Sequence, residues 1–150
     1  MSSYVFKSII GNIELVSSKN RIIAVHRTRK KPNKTEDKLL RRSALQIKMY
    51  LARKRRFLNF PTNQAGTRFQ NRVWNFLRRV PYGKTVTYGD IARKLKTSPR
   101  AVGGALGRNN LMMSVPCHRV VGTDGKLTGF TSIGGINTKR KLLSLEKKSR

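Results

Sequence analysis

The sequence contains very few of the residues that crosslink a small protein or bind a metal in it. In 150 residues there is one cysteine, Cys117, and there are two histidines, His26 and His118. A single cysteine cannot form an internal disulfide, and these three residues cannot supply the four ligands of a structural zinc site. We therefore expect no metal and no cofactor, and we expect a chemical rather than a structural role for Cys117.

Acidic residues are also scarce. The chain has 6 Asp and Glu against 34 Lys and Arg, which gives a net charge of +28. Residues 1–60 carry 16 bases and 3 acids, and residues 61–150 carry 18 and 3, so the excess is spread along the whole chain. A surface of this charge favours polyanionic partners, nucleic acid before anionic membranes.

Long hydrophobic runs are absent as well. No window of the sequence resembles a transmembrane helix or a signal peptide. The hydrophobic content of 37% is enough for one compact domain or for two small lobes. We expect an intracellular protein without a membrane partner, located in the cytoplasm with the nucleoid, or in the nucleus of a eukaryotic cell.

What the sequence does contain begins with β-rich runs. Residues 1–60 are predicted to form an N-terminal α/β lobe, in which SYVFKSI, IELVSS and RIIAVHR make an antiparallel three-stranded meander. A helix is predicted over residues 36–55, with Thr35 as its N-cap and with the basic run 53–56 at its C-terminal end. Residues 59–66 are predicted to connect this lobe to a second one.

Residues 61–150 are predicted to form this second, mainly helical lobe. Thr67 with Gln70 and Thr87 with Asp90 have the spacing of capping boxes, and Ser98 before a proline marks a third helix start. The succession of helix, short turn and helix that begins at Thr87 is typical of a helix-turn-helix DNA-binding unit. Many helical hairpins bind nothing, so this pattern alone leaves DNA binding open.

The second helix of this pair consists largely of small residues. Its sequence PRAVGGALGRN contains two adjacent glycines, each of which weakens a helix by about 1 kcal/mol. Close packing against another helix would explain them, and so would close approach to a DNA minor groove. The helix offers almost no side chain able to read base edges in the major groove. Arg100 is its one long polar side chain near the start.

The last predicted helix, residues 137–148, carries a carboxylate on its apolar face. Glu146 follows Leu142 and Leu143 by four and three residues, and it therefore shares their inward face. A buried carboxylate needs a partner, and His118 is a candidate. The alternative is a glutamate at the edge of the stripe, paired with a surface lysine. Glycines between residues 122 and 135 indicate a loop that turns sharply or lies close to a ligand.

Several of these stretches occur together in one known family. GTRFQNRVWNFLRRVPYGKTVTYGDIA, SPRAVGGALGRNN, VPCHRVVG, GKLTGF and KRKLLSLE resemble the O6-alkylguanine-DNA alkyltransferases, which repair alkylated DNA. The specific feature is the combination of the PCHRV motif with the RAVGG stretch, because Cys117 lies 17 residues after Arg100. The resemblance implies an α+β fold, with a ribonuclease H-like lobe in residues 1–60 and a winged helix-turn-helix unit in residues 61–150.

The resemblance also implies a suicidal transfer of the alkyl group of O6-alkylguanine in duplex DNA to Cys117, with O4-alkylthymine as a second candidate substrate. His118 would act as the base through a water, and Glu146 would hold its imidazole. Tyr88 would assist rotation of the nucleotide and donate a proton to guanine N3. Asn109 would brace the active-site turn. Without the resemblance, a core aromatic residue and a helix cap are the preferred interpretations of Tyr88 and Asn109.

The same resemblance implies which residues meet the DNA. Arg100 would fill the stack that the flipped base leaves. The further DNA contacts implied are Thr87, Tyr88, Ala101, Gly103, Gly104 and Arg108, and the implied pocket around the flipped base consists of Pro116, Val120, Leu127, Phe130 and Thr131. Two departures from the family lie in this pocket. The chain carries a short insertion near Ser132, and Phe130 stands where relatives often have tyrosine.

Three alternatives stand beside a single-turnover methyltransferase. A non-catalytic relative would bind alkylated DNA and recruit other repair factors, but such proteins lack a cysteine at this position. A winged-helix DNA binder with an inert cysteine would leave the PCHRV stretch and the inward Glu146 unexplained. A cysteine hydrolase would need a substrate pocket that nothing in the sequence supplies. We expect a monomer that acts on double-stranded DNA, and cooperative binding along the DNA stays open.

Overall fold

The computed structural model describes residues 1–127 and 135–148. By their internal contacts these residues form two compact units. Unit 1 consists of Met1–Gln64 and Asn110–Ser114, and unit 2 consists of Ala65–Asn109 and the described residues from Val115 onward. Both units contain helices and strands, so the protein has the predicted α+β fold.

Unit 1 is built on a three-stranded antiparallel sheet, which confirms the predicted meander. Its strands are β1 (Ser2–Phe6), β2 (Ile13–Ser18) and β3 (Arg21–Arg27), in that order across the sheet. Lys19 and Asn20 join β2 to β3, and their φ angles are 52° and 60°. Two successive positive φ angles are the geometry of a type I′ hairpin turn, which matches the twist of the flanking strands.

Helix α1 (Lys38–Leu51) contacts β1 and β2. Its buried residues include Leu40, Ala44, Ile47, Tyr50 and Leu51. The predicted helix over residues 36–55 is too long at both ends. The N-cap is Asp37, whose carboxylate accepts a hydrogen bond from Leu40 N at 3.0 Å, whereas the hydroxyl of Thr35 accepts from Asp37 N. Beyond the other end Arg53 has a φ of 61°, so the helix ends before the basic run.

The predicted connector is partly a structured element of unit 1. Pro61 O and Asn63 N both hydrogen-bond to the backbone of Ile22 in β3, at 2.9 and 3.0 Å. Residues 110–114 lie beside β3 in a similar way, through backbone hydrogen bonds to Val25. These pairings join residues that are far apart in the sequence, so a local turn pattern does not predict them.

Unit 2 is mainly helical in its described residues. Its elements are α2 (Arg68–Arg78), β4 (Val86–Thr87), α3 (Tyr88–Leu95), α4 (Pro99–Gly107), a 3₁₀ turn (Cys117–Arg119), β5 (Val120–Val121) and α5 (Gly135–Lys148). Strands β4 and β5 pair in parallel. Helix α5 begins at Gly135 rather than at the predicted residue 137.

Three helices of unit 2 begin at the predicted caps. Thr67 and Gln70 form a complete capping box before α2, and Thr87 and Asp90 form another before α3. The Ser98 side chain accepts a backbone hydrogen bond at the start of α4. The predicted succession of helix, short turn and helix is therefore confirmed in α3 and α4.

Helix α2 holds the α3–α4 pair in place. Trp74 of α2 is buried, and its indole Nε1 donates a hydrogen bond to Ala105 O in α4 at 3.0 Å. Lys96 ends α3 with a φ of 57°, and this left-handed residue turns the chain towards α4. In the part of the chain that the structure describes, no helix is both long and apolar enough to cross a membrane.

Candidate functional site

Cys117 begins the 3₁₀ turn, directly after a tight backbone bend. Its amide nitrogen donates a hydrogen bond to Val115 O at 2.8 Å, and Pro116 between them is buried. The cysteine itself is half-buried and free of any disulfide. The bend therefore holds Cys117 at a position where the residue is only partly exposed.

Asn109, the residue predicted to brace this turn, contacts both of its ends. Its side-chain nitrogen Nδ2 lies 2.9 Å from Val115 O and 3.3 Å from the Cys117 sulfur. Asn109 follows the end of α4, and its own backbone nitrogen donates to Leu106 O. Because Nδ2 is a donor, its contact with the sulfur favours the thiolate over the thiol.

His118 and Glu146 form a buried pair next to the cysteine. Their residues are 0% and 1% exposed, and His118 Nε2 lies 2.6 Å from Glu146 Oε2. The inward glutamate of α5 thus contacts the candidate partner that the sequence suggested. Because a carboxylate only accepts hydrogen bonds, we assign the imidazole proton to Nε2, and Nδ1 is then the ring atom that can take up a proton.

Arg119 completes this cluster, and sequence reasoning missed it. Its Nε and Nη2 atoms lie 3.0 Å from Glu146 Oε1 and 2.9 Å from Oε2, which is a bidentate ion pair. Its third nitrogen, Nη1, donates to Val80 O at 2.8 Å, and Gly83 N donates to Glu146 Oε1 at 3.0 Å. The sequence did contain a signal for it: a buried, charged Glu146 needs a cationic partner, because a neutral histidine cannot compensate its charge.

The pKa values of the cluster follow from burial and from these charges. Burial alone would raise the pKa of Glu146, but the hydrogen bonds and charges of His118 and Arg119 outweigh it and hold that pKa far below its ordinary value. Burial lowers the pKa of His118, and the positive charges of Arg119 and Lys139 act in the same direction. Burial raises the pKa of the Cys117 thiol. At neutral pH we therefore expect a charged carboxylate, a neutral imidazole and a protonated thiol.

A second buried cation, Lys139 of α5, was also missed. Its side chain is fully buried, and its Nζ lies 5.9 Å from the centre of the Tyr88 ring, within the range of a cation–π contact. Burial lowers the pKa of Lys139. Lys139 precedes Leu142 and Glu146 by three and seven residues. This helical spacing puts all three on one face and could have identified the lysine.

Packing does not explain the exposed glycines of α4. A Cβ atom added to Gly104 or Gly107 would have no described atom within 4 Å, and both residues are exposed. A Cβ on Gly103 would lie 3.9 Å from the Tyr88 ring, which is an ordinary contact. Of the two explanations for the small residues, close packing fails at Gly104 and Gly107. Close approach of an external partner remains.

The other predicted DNA contacts lie at the ends of α3 and α4. Arg100 is exposed in the first turn of α4, where Ala101 is half-buried, and Arg108 is exposed at the C-cap. The hydroxyl of Thr87 accepts a hydrogen bond from Asp90 N at 2.9 Å, so this side chain caps α3. Arg100 and Arg108 thus lie at the two ends of α4, whose exposed face carries glycines without side chains.

Part of the predicted pocket lies within the described residues. Pro116 and Val120 are buried and Leu127 is half-buried, whereas Phe130, Thr131 and Ser132 lie outside the described residues. Residues 122–126 make the sharp turn that their glycines indicate, closed by a hydrogen bond from Gly122 N to Lys126 O at 2.8 Å. Across residues 1–127 and 135–148, no group of three His, Cys, Asp or Glu side chains could hold a metal ion.

The sequence is similar to a family model and to several known proteins. Residues 68–148 match the family model described as 6-O-methylguanine DNA methyltransferase, DNA binding domain. The chain is 45% identical over 116 residues to the inducible methylated-DNA–protein-cysteine methyltransferase of Bacillus subtilis, over 76% of this chain and 64% of that protein. It is 42% identical over 112 residues to the methylated-DNA–protein-cysteine methyltransferase of Methanosarcina acetivorans, over 73% and 70%. The matched region therefore spans less than two thirds of the Bacillus subtilis relative.

Solved structures resemble nearly the whole chain. The crystal structure of Mycobacterium tuberculosis OGT in complex with DNA superposes with a TM-score of 0.86 at 36% identity, covering 98% of this chain and 93% of that one. An O6-methylguanine DNA methyltransferase from Methanococcus jannaschii gives a TM-score of 0.68 at 27% identity, with coverage of 95% and 92%. The likeness thus includes residues 1–67, which the family model does not cover.

Proposed function

The chain belongs to the O6-methylguanine-DNA methyltransferase family, and on this basis we propose that it repairs DNA by moving the alkyl group of O6-alkylguanine irreversibly to Cys117. The observation that carries the proposal is the buried cluster of His118, Arg119 and Glu146 immediately after the lone cysteine. An inert cysteine would not require a neutral base fixed in place by a compensated carboxylate.

In the proposed reaction the sulfur of Cys117 attacks the alkyl carbon in line with the bond from that carbon to guanine O6. The sulfur–carbon bond forms, the carbon–oxygen bond breaks, and its electron pair stays on the guanine. The guanine anion then takes up a proton at N3, for which the Tyr88 hydroxyl is the proposed donor. The tyrosinate regains a proton from solvent, and the imidazole that accepted the thiol proton releases it to solvent, so the protons balance. Cys117 becomes S-alkylcysteine, so each molecule reacts once.

His118 is the proposed acceptor of the thiol proton. Side chains of consecutive residues do not naturally point at each other, so we propose that a water bridges Cys117 and His118. The lowered pKa of His118 supports this role, because only a neutral imidazole can accept a proton. Glu146 orients the ring through its 2.6 Å hydrogen bond, and Arg119 holds the carboxylate. Glu146 and Arg119 therefore act as positioning residues.

The proposed partner is double-stranded DNA, bound by a monomer through α3 and α4. Open space around Gly104 and Gly107 supports a close approach of α4 to the minor groove. Arg100, exposed at the start of α4, is proposed to enter the stack when the damaged nucleotide turns out of the duplex. Thr87, Ala101, Gly103 and Arg108 are the proposed neighbouring contacts. Cooperative binding is a separate question, which binding isotherms on DNA of increasing length answer.

Mass spectrometry tests the transfer directly. After incubation with a duplex that contains O6-methylguanine, we expect the peptide with Cys117 to gain one methyl group for each lesion repaired. The variant Cys117→Ser is expected to bind the same duplex without gaining mass. An unmodified Cys117 peptide together with a persistent lesion would contradict transfer. It would favour the second candidate, a non-catalytic protein that binds alkylated DNA and recruits other repair factors.

The role of Arg100 needs a substrate that requires no base flipping. We expect Arg100→Ala to slow repair of duplex DNA by about tenfold or more, because unstacking a base costs a few kcal/mol. Reaction with the free base O6-benzylguanine should keep its rate. Arg108→Ala is the matched control, since loss of a phosphate contact weakens binding but leaves the rate at saturating DNA unchanged. Equal slowing of both substrates by Arg100→Ala would remove its proposed role.

Two finer points belong to the same proposal. O4-alkylthymine contains a similar alkyl–oxygen bond, and the mass assay with that lesion tests it as a second substrate. The proposed site of action is chromosomal DNA, either in the nucleoid of the cytoplasm or in a nucleus. Imaging of a fluorescent fusion together with a DNA stain tests this location.

A further inference from the structure

The proposed DNA contacts of unit 2 do not account for the charge of unit 1. Residues 1–60 hold 16 of the 34 bases, and residues 38–56 contain eight of these without any acidic residue. The eight are Lys38, Arg41, Arg42 and Lys48 in α1, followed by Arg53, Lys54, Arg55 and Arg56 directly after it. We call these eight residues the α1 basic surface.

The four helical members of the α1 basic surface are exposed. Lys38, Arg41 and Arg42 lie on the face of α1 opposite its buried stripe, whereas the fourth, Lys48, lies at the edge of that stripe with its Nζ 5.3 Å from the centre of the Phe6 ring. Lys38 and Arg42 are one helical turn apart, and like charges at this spacing destabilise a helix. The carboxylate that reaches this surface is Glu36, 3.8 Å from Arg41 and itself 97% exposed, so its compensation is weak. A bound polyanion would relieve the remaining repulsion.

The turn after α1 is built before any partner binds. Gln46 and Asn59 exchange two hydrogen bonds, of 2.8 and 2.9 Å. Arg55 donates to Phe57 O at 2.7 Å and to Asn59 Oδ1 at 2.8 Å, and its guanidinium lies 5.2 Å from the Phe57 ring centre. Arg55 therefore shapes the turn, and its neighbours Arg53 and Lys54 are exposed on it. A prearranged turn loses less conformational entropy on binding than a flexible tail would.

The dimensions and the charge of this surface fit the backbone of duplex DNA. The 14 residues of α1 span about 21 Å. Duplex DNA carries about twelve negative charges over that length, since one charge occurs per roughly 1.7 Å of its axis. A row of bases without interspersed acids complements such a uniform polyanion better than it complements a protein surface of mixed charge.

We propose that the α1 basic surface binds the phosphate backbone of double-stranded DNA. Unit 1 would then add contacts that are independent of sequence and of damage to those of the α3–α4 pair. These contacts would strengthen binding to undamaged DNA, where a repair protein must search for lesions. The inference rests on the proposed function only in taking DNA as the partner.

Two pairs of substitutions that remove the same charges test this. The surface pair is Arg42→Gln with Lys54→Gln, and the control pair is Arg21→Gln with Lys19→Gln at the β2–β3 turn; all four side chains are exposed. Fluorescence anisotropy measures the affinity for an undamaged duplex of about 24 base pairs between about 50 and about 200 mM NaCl. We expect the slope of log Kd against log salt to fall by about 2 for the surface pair and by less than about 0.5 for the control pair, at roughly 0.9 per lost phosphate contact.

Further measurements separate charge from folding. The charge-retaining pair Arg42→Lys with Lys54→Arg should keep the wild-type slope, and every variant should react with free O6-benzylguanine at the wild-type rate. If the surface pair does not fold, Lys54→Gln alone should still lower the slope by about 1. Equal slopes for the surface and control pairs, or a change confined to single-stranded DNA, would overturn the inference. A wild-type protein that shows the expected slopes but transfers no alkyl group would contradict the proposed function and leave this inference standing.

Discussion

Replacing the buried Arg119 by methionine tests how the cluster around Glu146 is held together. The change removes a bidentate ion pair with Glu146 and a hydrogen bond to Val80 O, while most of the side-chain length remains. The carboxylate of Glu146, 1% exposed, would then be buried without a cationic partner at this position. Breaking a buried ion pair from one side costs about 3–5 kcal/mol. At roughly 2–4 °C per kcal/mol for a protein of this size, we expect the melting temperature to fall by roughly 6–20 °C.

The matched control for this experiment is Arg93→Met on α3. Arg93 pairs with Asp90 at the surface, where the two side chains are 74% and 45% exposed, so its loss should cost less than about 1 kcal/mol. Urea unfolding followed by the fluorescence of Trp74, which is the single tryptophan and is buried in unit 2, measures both variants in the same way. Equal unfolding free energies for Arg119→Met and Arg93→Met would refute the reasoning.

Arg119→Met should also change the pH dependence of the proposed reaction. In the wild type the guanidinium compensates Glu146, and the pKa of His118 stays low. Without it, the carboxylate acts on His118 alone and raises the pKa of the imidazole. As the solution is acidified, the rate of transfer from O6-benzylguanine should then begin to fall at a higher pH than in the wild type, because a protonated imidazole cannot accept the thiol proton. Arg119→Lys keeps the charge and should keep the wild-type pH profile. A profile of Arg119→Met that coincides with the wild type would contradict a tuning role.

Three further predictions follow from single observations. The free energy of unfolding should fall as the pH drops below 6.5, the ordinary pKa of histidine, because the lowered pKa of buried His118 lets the unfolded chain bind a proton first. Urea titrations at several pH values measure this, and the free energy of unfolding of His118→Gln should depend less on pH than that of the wild type. Thr67→Ala removes one half of a complete capping box and should cost about 1 kcal/mol in urea unfolding, whereas a change below about 0.3 kcal/mol would mean that the cap is not formed in solution. Gly104→Ala should stabilise α4 by about 0.8–1 kcal/mol, since its Cβ meets open space, and it should slow duplex repair but not reaction with O6-benzylguanine; unchanged duplex repair would argue against close contact of α4 with DNA.

The elements that could be predicted from the sequence are those specified by neighbouring residues. Thr67 and Thr87 lie three residues before a side chain that completes a capping box, and both helices begin there. The strands of the meander alternate with turn residues, of which Asn20 adopts the left-handed conformation that asparagine tolerates. In such cases the hydrogen-bond partners lie within one short segment, so the local sequence pattern is sufficient to predict the element.

The errors occur where two local signals compete or where the partner is distant. Thr35 and Asp37 are both able to cap a helix, and in the structure the carboxylate caps α1 while the hydroxyl supports the turn before it. The charged oxygen is the stronger acceptor at the positive end of a helix dipole, which favours the aspartate. Residues 61–63 look like a linker because their hydrogen-bond partner, Ile22, lies some forty positions earlier, as in Asn63 N to Ile22 O.

The site shows the same division between local and distant information. Glu146 could be placed on an inward face from helical spacing, and from there a contact with His118 could be suggested. Arg119 could not be found from composition, because in a chain with 34 bases a single Lys or Arg is expected to be solvated. Lys139 could have been placed on the inward face of α5 from its spacing to Glu146, but its aromatic partner could not. Both are buried in the structure, since a carboxylate and an aromatic ring from other segments receive them. Tertiary structure therefore adds one kind of information that the sequence lacks: which basic side chains are buried, and which distant residue each of them contacts.

The pKa of Cys117 is raised and that of His118 is lowered, which favours a neutral thiol–imidazole pair over a preformed thiolate–imidazolium pair. A preformed thiolate–imidazolium pair would require a lowered pKa at the cysteine and a raised one at the histidine. Burial drives the pKa of Cys117 up and that of His118 down, so both side chains are expected to be neutral before the substrate arrives. In the proposed reaction, a neutral pair would leave the proton on sulfur until an alkyl carbon is in position, and the neutral imidazole would be the base that removes it. If Cys117 reacts only once, as proposed, this resting state would protect the thiol from unrelated electrophiles and oxidants, because the thiolate is the reactive form. We therefore expect iodoacetamide to modify Cys117 slowly at neutral pH and faster at alkaline pH. Rapid modification at pH values below the pKa of a free cysteine would contradict the neutral pair.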